Sequence, residues 1–142
     1  MKSRVVDKGK LSPIEEISRF LNENADGWSG AIMFFIGKVK RKSKDEKDVD
    51  KIEIESYREG SNEKLVEISE KIKKKYDLRN ILIVHGEGVF YPGEDLVVVG
   101  VASKGRKEAI KAIQEVIEAY KKKAFLFKKE IYKDGTGRWI TE

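Results

Sequence analysis

The sequence predicts an α+β fold in which three helices pack on a mainly antiparallel sheet. Segments with helical three-to-four-residue periodicity alternate with short segments that are continuously apolar or alternating, as strands are. Some strand segments follow one another directly in pairs, which favours antiparallel pairing. No glycine-rich nucleotide fingerprint accompanies any strand. The length of 142 residues predicts a single domain over residues 1–142.

A short strand over residues 3–6 and a helix open the chain. Ser12 can cap this helix, Pro13 suits its first turn and Glu15 completes a capping box. Residues 24–27 end the helix, and its apolar stripe contains Ile14, Ile17, Ser18 and Leu21.

The next segment, between Gly30 and Gly37, is continuously apolar, which indicates a buried central strand. The charged run at residues 40–50 has no apolar anchor and is interpreted as a mobile loop. That loop is either a surface excursion or a lid over a site. Alternation of apolar and polar residues over 52–57 predicts a half-exposed strand.

The middle of the chain predicts a helix followed by strands. Gly60-Ser61 opens the helix, which closes near Tyr76 and whose apolar positions are Leu65, Ile68 and Ile72. Residues 80–85 form a strand that Gly86-Glu87-Gly88 breaks before residues 89–91 continue it. A turn at residues 92–95 leads into a strongly apolar strand over residues 96–102.

The last third predicts a long helix and a hairpin. Ser103 caps the helix, whose apolar positions are Ile110, Ile113, Val116, Ile117 and Tyr120. A strand follows over residues 125–132, then a turn over residues 133–137 and a short strand over residues 138–140. Phe125 and Phe127 lie within an apolar run and are expected to be buried.

Composition excludes several kinds of site. The chain has no cysteine and one histidine, so a disulfide framework, a thiolate nucleophile and a zinc site are not expected. No stretch reaches the ~20 apolar residues of a membrane span, and the N-terminus lacks the apolar region of a signal peptide. We therefore expect a cytoplasmic protein without a bound metal or cofactor. Its net charge of +5 permits an anionic partner.

Two basic clusters are candidate sites. Lys104, Arg106 and Lys107 surround the start of the last helix, where free N–H groups and cations together favour an anion; solvated side chains are the alternative. Lys121–Lys123 end that helix, where cations are favourable without any function. Lys128 and Lys129 face opposite ways on the following strand, and a lysine near other cations can act as a base. His85 ends an apolar strand, so a structural or rim role is favoured over catalysis.

Several stretches, in order, resemble a known family. They are Phe35-Ile36-Gly37-Lys38-Val39-Lys40, Glu55-Ser56-Tyr57, Val84-His85 to Gly88, Tyr91-Pro92-Gly93-Glu94, Val99 to Ser103 with Arg106, Lys121, Lys128-Lys129-Glu130 and Arg138-Trp139. Their order and spacing resemble the large, catalytic subunit of molybdopterin synthase, the MoaE family. The resemblance runs from residue 11 to residue 139.

The resemblance implies a fold, partners and a reaction. The fold is an α/β hammerhead with a small antiparallel subdomain, in a homodimer whose subunits each bind a small ubiquitin-like, MoaD-like sulfur carrier, giving a heterotetramer. The carrier's C-terminal Gly-Gly tail bears a thiocarboxylate and threads into the large subunit. Sulfur passes from it to cyclic pyranopterin monophosphate, and the product is the dithiolene of molybdopterin.

The resemblance also implies roles for individual residues. Lys121 would contact the thiocarboxylate tail as a general acid or cationic stabiliser, and Lys128 would hold the substrate or move protons. Lys129 and Glu130 would orient the site. The pterin and its phosphate would be bound, in part from the neighbouring subunit, by Lys38, Val39, Lys40, Lys104, Gly105 and Arg106.

Departures from the family pattern leave two alternatives. Lys40, Gly86 and Gly105 stand where the family has arginine, arginine and histidine. A non-catalytic MoaE-like member that binds only the small partner is one alternative. A nucleic-acid-binding domain that uses residues 104–107 and 121–129 is the other, disfavoured because acidic residues interrupt each basic stretch and because the aromatic residues are expected to be buried.

Overall fold

The computed structural model describes residues 2–140 and contains three α-helices, one short 3-10 helix (Lys8–Lys10) and seven strands among them. The α-helices are α1 (Pro13–Glu23), α2 (Arg58–Lys75) and α3 (Arg106–Lys123). The strands are β1 (Arg4–Asp7), β2 (Ala31–Lys38), β3 (Val49–Ser56), β4 (Asn80–Phe90), β5 (Asp95–Ser103), β6 (Leu126–Tyr132) and β7 (Gly137–Ile140). None of these helices is long and apolar enough to cross a membrane.

The strands form one sheet in the order β2-β5-β4-β3-β6-β7, and β1 pairs with β4. Every pairing is antiparallel except the parallel pair of β1 and β4. The α+β class with a mainly antiparallel sheet is therefore confirmed. The β3-β6-β7 portion forms its smaller antiparallel part.

Helices cover both faces of the sheet. Leu65 of α2 and Val116 of α3 pack with Ile83 and Val99 in the larger core cluster. On the other face, Phe20 of α1 packs with a smaller cluster, and its ring lies edge-on to that of Phe34 at 5.6 Å between centroids. Because side chains alternate along a strand, neighbouring residues of β4 serve different cores.

The predicted apolar stripe of α1 is wrong. Ile14 is 82% exposed and Leu21 45% exposed, whereas Glu16 and Phe20 are buried. Glu16 tolerates burial because Arg4 pairs with its carboxylate at 2.7 Å and Arg19 at 3.5 Å. The predicted cap is confirmed, since the Glu15 backbone N–H donates to Ser12 Oγ.

The predicted central position of the first long strand is also wrong. Among the described strands β2 pairs only with β5, so it is an edge strand. Its apolar side chains are half-buried rather than buried. Periodicity reports how apolar a strand is and carries no information about how many neighbours it pairs with.

The glycine segment at residues 86–88 does not interrupt its strand, because β4 runs continuously from Asn80 to Phe90. The first half of β4 pairs with β5 through residues 80–85, and residues 88–90 pair with β3. Gly88 has a φ of +133°, a conformation that side chains disfavour. The glycines therefore allow β4 to pass from one part of the sheet to the other.

Smaller corrections concern the helix starts and the exposed apolar residues. Helix α2 begins at Arg58, two residues before the predicted start at Gly60. Gly105 caps α3, while Ser103 Oγ accepts from the Gly105 N–H and so braces the turn before it. Ile110 of α3 is 51% exposed.

Phe125 and Phe127 are about half exposed, which overturns the burial predicted for both. Along β6, Leu126 and Lys128 alternate with Phe127, so an apolar run there does not place every side chain inside. Phe125 precedes the strand with a φ of +54°. Buried aromatics therefore no longer argue against nucleic-acid binding, and the interrupted charge pattern remains.

Candidate functional site

A basic pocket of about 470 Å³ lies where the end of α3 meets β6, β7 and the segment after β2. Ligand sites commonly have volumes in this range. Among the residues that the structure describes, six lysines and one arginine line it against a single acidic residue, Glu130. The cationic residues are Lys38, Lys40, Lys42, Lys44, Lys121, Lys128 and Arg138.

Lys121 and Lys128, the two lysines predicted to be catalytic, both line this pocket. Lys121 lies in the last turn of α3, where a cation is stabilised by the helix dipole. Lys128 lies on β6, opposite Ile54 of β3 and Ile140 of β7. A helix end and a neighbouring strand thus bring together two lysines that are seven positions apart in the sequence.

Lys128 and Lys129 point to opposite faces of β6, as strand geometry predicts. Lys128 lines the pocket and Lys129 does not belong to the described lining. The Lys129 ammonium instead lies 5.7 Å from the centroid of the Trp139 ring. The structure therefore separates Lys129 from Glu130, the other residue expected to orient the site, which lines the pocket.

The segment predicted to be a mobile loop contributes one wall of the pocket through Lys40, Lys42, Ser43 and Lys44. It folds into a turn in which Lys42 bridges to Asp48, and Ser43 is buried. The ammonium of Lys42 lies 2.7 Å from the Asp48 carboxylate, and this ion pair raises the pKa of Lys42. The predicted loop extends too far, because Val49 already begins β3, and its buried side chain is an apolar anchor that the prediction missed. The mobility of the remaining segment stays a prediction.

Glu130 is the acidic residue in the described lining of the pocket. Its carboxylate accepts a hydrogen bond of 2.8 Å from the Tyr132 hydroxyl, which raises the pKa of Tyr132. Arg138 Nη2 lies 4.0 Å from the same carboxylate, and Arg138 Nη1 donates to Asp45 at 3.1 Å. Arg138 of β7 thereby links Glu130 of β6 to Asp45 in the turn after β2.

His85 lies deeper, beside the two lysines. It is fully buried, which excludes the rim position and agrees with the structural role, the two possibilities predicted for it, and its ring lies edge-on to that of Tyr120 at 5.6 Å between centroids. Burial, with Lys128 nearby as the next cause, lowers the pKa of His85 to about 3. The imidazole is therefore neutral at physiological pH.

The other predicted binding residues do not all reach the pocket. Lys38 and Lys40 line it, whereas Val39 between them is buried and its N–H donates to the Glu94 carbonyl at 3.0 Å. Arg106 starts α3 and Lys121 lies in its last turn, so their backbones are about 22 Å apart along the helix axis.

Lys104 and Gly105 directly precede Arg106 and therefore also lie at the N-terminal end of α3, away from the pocket. The Lys104 ammonium lies 3.6 Å from an Asp77 carboxylate oxygen at that end. Within one subunit, therefore, the predicted set of site residues divides into a group at the pocket and a group at the other end of the helix.

Sequence reasoning missed several pocket residues. Lys42 and Lys44 belonged to a charged run interpreted only as a loop, and Arg138 was noted as part of the family pattern without a role. The sequence feature that could have indicated these residues is the large number of lysines and arginines that precede and follow the apolar strand segments. That feature does not specify which cations converge.

The pocket can bind an anion and handle protons. Several ammonium groups can hold a phosphate or carboxylate, and a lysine ammonium can donate a proton. Among residues 2–140 no three histidine, aspartate or glutamate side chains cluster as metal ligands. The chemistry that these residues support is therefore stabilisation of negative charge and proton transfer.

Comparison with known proteins gives consistent matches. Thermoplasma volcanium has a protein named molybdopterin synthase catalytic subunit that is 30% identical over 129 residues, covering 91% of this chain and 90% of that protein. A Bacillus subtilis protein of the same name is 36% identical over 112 residues, covering 79% of this chain and 70% of that protein. These names agree with the enzyme class predicted from the sequence.

The fold gives a corresponding match. The crystal structure of molybdopterin synthase from Staphylococcus aureus superposes with a TM-score of 0.86 at 27% identity, over 100% of this chain and 99% of that chain. The model of the family described as MoaE protein matches residues 7–123. Because this match spans most of the chain, the chain belongs to the MoaE family.

Proposed function

We propose that this chain is the catalytic subunit of a molybdopterin synthase. It transfers sulfur from the C-terminal thiocarboxylate of a small ubiquitin-like carrier to cyclic pyranopterin monophosphate, which forms the dithiolene of molybdopterin. The observation that carries the proposal is that Lys121 and Lys128 meet in one cationic pocket. Family membership and the names of the relatives support the same reaction.

The two lysines have different roles in the proposal. Lys121 contacts the thiocarboxylate and stabilises negative charge as sulfur leaves the carrier. Lys128 holds the pterin substrate and moves protons. The lysines at positions 38, 40, 42 and 44 supply positive charge for the substrate phosphate, and several cations compensate for the arginine that the family has at position 40.

The small carrier is the proposed partner, and its tail enters the pocket. A solved structure from Helicobacter pylori, similar in fold to this chain at a TM-score of 0.76 and 17% identity, is titled as a complex of subunits 1 and 2 of molybdopterin-converting factor. A flexible tail that ends in two glycines and a thiocarboxylate is narrow and anionic. Both properties fit a pocket lined by lysines.

A homodimer, with one carrier on each subunit, is the proposed assembly. Strand β2 is an edge strand whose apolar side chains remain half-buried, so it offers a surface for a second copy. Arg106 is too far from Lys121 in its own subunit to join the same pocket. In the proposed dimer, Lys104, Gly105 and Arg106 bind the substrate phosphate in the pocket of the neighbouring subunit. A cytoplasmic location stays a prediction.

Reconstitution tests the function. The purified chain is mixed with its thiocarboxylated carrier and cyclic pyranopterin monophosphate, and the dithiolene pterin is quantified. We expect product from the native chain and its loss in Lys121→Ala, with Lys123→Ala as a control at the exposed end of the same helix. Carrier binding without product from the native chain would favour the non-catalytic member of the family.

Mixed dimers test the shared site. One chain carries Arg106→Ala and the other Lys121→Ala, and each variant is inactive alone. If substrate groups come from both subunits, a mixed dimer restores one of its two pockets and regains about half of the activity per dimer, to order of magnitude. Activity of Arg106→Ala alone at the native level would show that this residue does not serve the site.

A further inference from the structure

A single imidazole nitrogen under the basic pocket has no hydrogen-bond partner among the described residues. His85 Nε2 is buried, and the whole side chain is 0% exposed. A buried polar atom without a partner costs roughly 1–3 kcal/mol of stability, so proteins rarely leave one without a role. The proposed sulfur transfer gives this residue no role.

The other ring nitrogen fixes the tautomer of His85. Nδ1 lies 2.8 Å from the carbonyl oxygen of Gly86, and a carbonyl can only accept. Nδ1 therefore carries the proton and donates it. Because the ring is neutral, Nε2 is then a bare acceptor with its lone pair available.

His85 borders a small cavity that Lys121 and Lys128 also line. The cavity has a volume of about 20 Å³ and is lined by His85, Tyr120, Lys121, Leu126, Lys128 and Ile140. That volume holds one water molecule. Leu126 and Ile140 are apolar, so the side-chain groups that can donate to Nε2 are the two ammonium groups and the Tyr120 hydroxyl.

We propose that His85 is a positioning residue whose Nε2 accepts a hydrogen bond from one water in this cavity, and that this water in turn accepts a hydrogen bond from Lys121 or Lys128. A neutral acceptor can hold an ammonium group without neutralising it, whereas a carboxylate there would form an ion pair and compete with the anionic substrate. A protonated imidazole would repel both lysines. The buried, neutral form of His85 is thus the form that suits a cationic site.

The chain has one histidine, so its ring nitrogens give one unambiguous pair of ¹⁵N NMR resonances. In histidine-labelled protein we expect a protonated Nδ1 and an unprotonated, hydrogen-bonded Nε2 at neutral pH. Lys128→Met or Lys121→Met should move the Nε2 resonance. Lys129→Met is the matched control, because this lysine neighbours Lys128 but lies outside the described lining of both cavities, and should leave the resonance in place.

Three results would overturn the proposal: a proton on Nε2, a resonance that neither lysine variant moves, or a resonance that moves only with Tyr120→Phe. The NMR experiment uses the folded protein without substrate. Its outcome therefore does not depend on the proposed function.

The catalytic arm rests on the proposed function and compares two substitutions. His85→Leu removes the acceptor, and we expect kcat for dithiolene formation to fall about tenfold, the effect of one hydrogen bond to a charged group. His85→Gln places an amide oxygen near the position of Nε2 and should recover most of kcat, while KM changes little in either variant. Equal kcat values for folded His85→Leu and the native chain would refute a role in positioning.

Discussion

The burial of His85 predicts a specific acid sensitivity of the fold. Burial, Lys128 and Lys121 lower the pKa of this histidine from 6.5 to about 3, and the hydrogen bond to Gly86 only partly opposes them. In the unfolded chain the same side chain takes up a proton near its ordinary pKa. Below that pKa the unfolded state binds more protons than the native state, so stability falls as the pH falls.

The size of the effect follows from the two pKa values. At neutral pH both states are mostly unprotonated at His85, and the residue adds almost no pH dependence. Between about pH 7 and about pH 4.5 the linkage relation gives a loss of about 2.5 kcal/mol in the free energy of unfolding from this residue alone. The contribution becomes constant below the native pKa of about 3.

Urea unfolding of the native chain and of His85→Gln at both pH values measures this contribution. The substitution also lowers the free energy of unfolding at neutral pH. This constant difference cancels, because the comparison uses only the change in each protein's free energy of unfolding between the two pH values. Carboxylates titrate in both proteins and contribute equally. We expect the native chain to lose about 2.5 kcal/mol more than the variant across the window. Equal losses in the two proteins would show that His85 titrates normally and would refute its neutral, enclosed environment.

Three further predictions concern the pocket and the backbone. Lys121→Met should lower the rate of dithiolene formation by about 100-fold or more, as loss of a general acid or cationic stabiliser does, and Lys123→Met should not; equal rates in a reconstituted assay would contradict the assignment. Gly86→Ala should destabilise the fold by roughly 1–3 kcal/mol in chemical denaturation, because an added Cβ would lie 2.6 Å from the buried ring of Phe90; an unchanged midpoint would exclude this clash. Ser12→Ala should cost about 1 kcal/mol through loss of the helix cap, whereas Ser12→Thr should retain most of that stability.

The fold was largely predictable because the signals that define its elements are local. Ser12-Pro13 starts a helix at the predicted position, and the turn at residues 92–95 connects two strands as expected. The errors arise where tertiary context decides. Strand β2 is apolar yet lies at an edge, and β4 continues through two glycines because it changes neighbours there. Neither the edge position of a strand nor a change of its neighbours affects the apolar periodicity of that one segment.

The site was predictable in part, for a related reason. Alternation along β6 predicted that Lys128 and Lys129 face opposite ways, and only Lys128 belongs to the described pocket lining. The choice of Lys121 and Lys128 as site residues came from the family resemblance, and their catalytic roles stay predictions. Convergence of Lys42, Lys44 and Arg138 on the same pocket depends on how β7 and a turn pack. For His85 a rim position stayed open beside a structural role because its neighbours in sequence suggested a strand end, whereas β4 continues past it and β1 pairs alongside.

Helix stability explains the cation at one end of α3 but not the cation at the other end. Lys121 at the C-terminal end is favoured by the helix dipole, so its presence needs no function, and its role rests on the pocket that it lines. Arg106 begins the same helix, where the dipole opposes a cation, and Glu108 is the only acidic residue of that turn. Arg106 is exposed, so the unfavourable contribution is small, about 0.3–1 kcal/mol, and a bound anion would offset it. Since its own pocket is about 22 Å away, the compensation that fits the proposed dimer is a substrate phosphate bound in the neighbouring subunit.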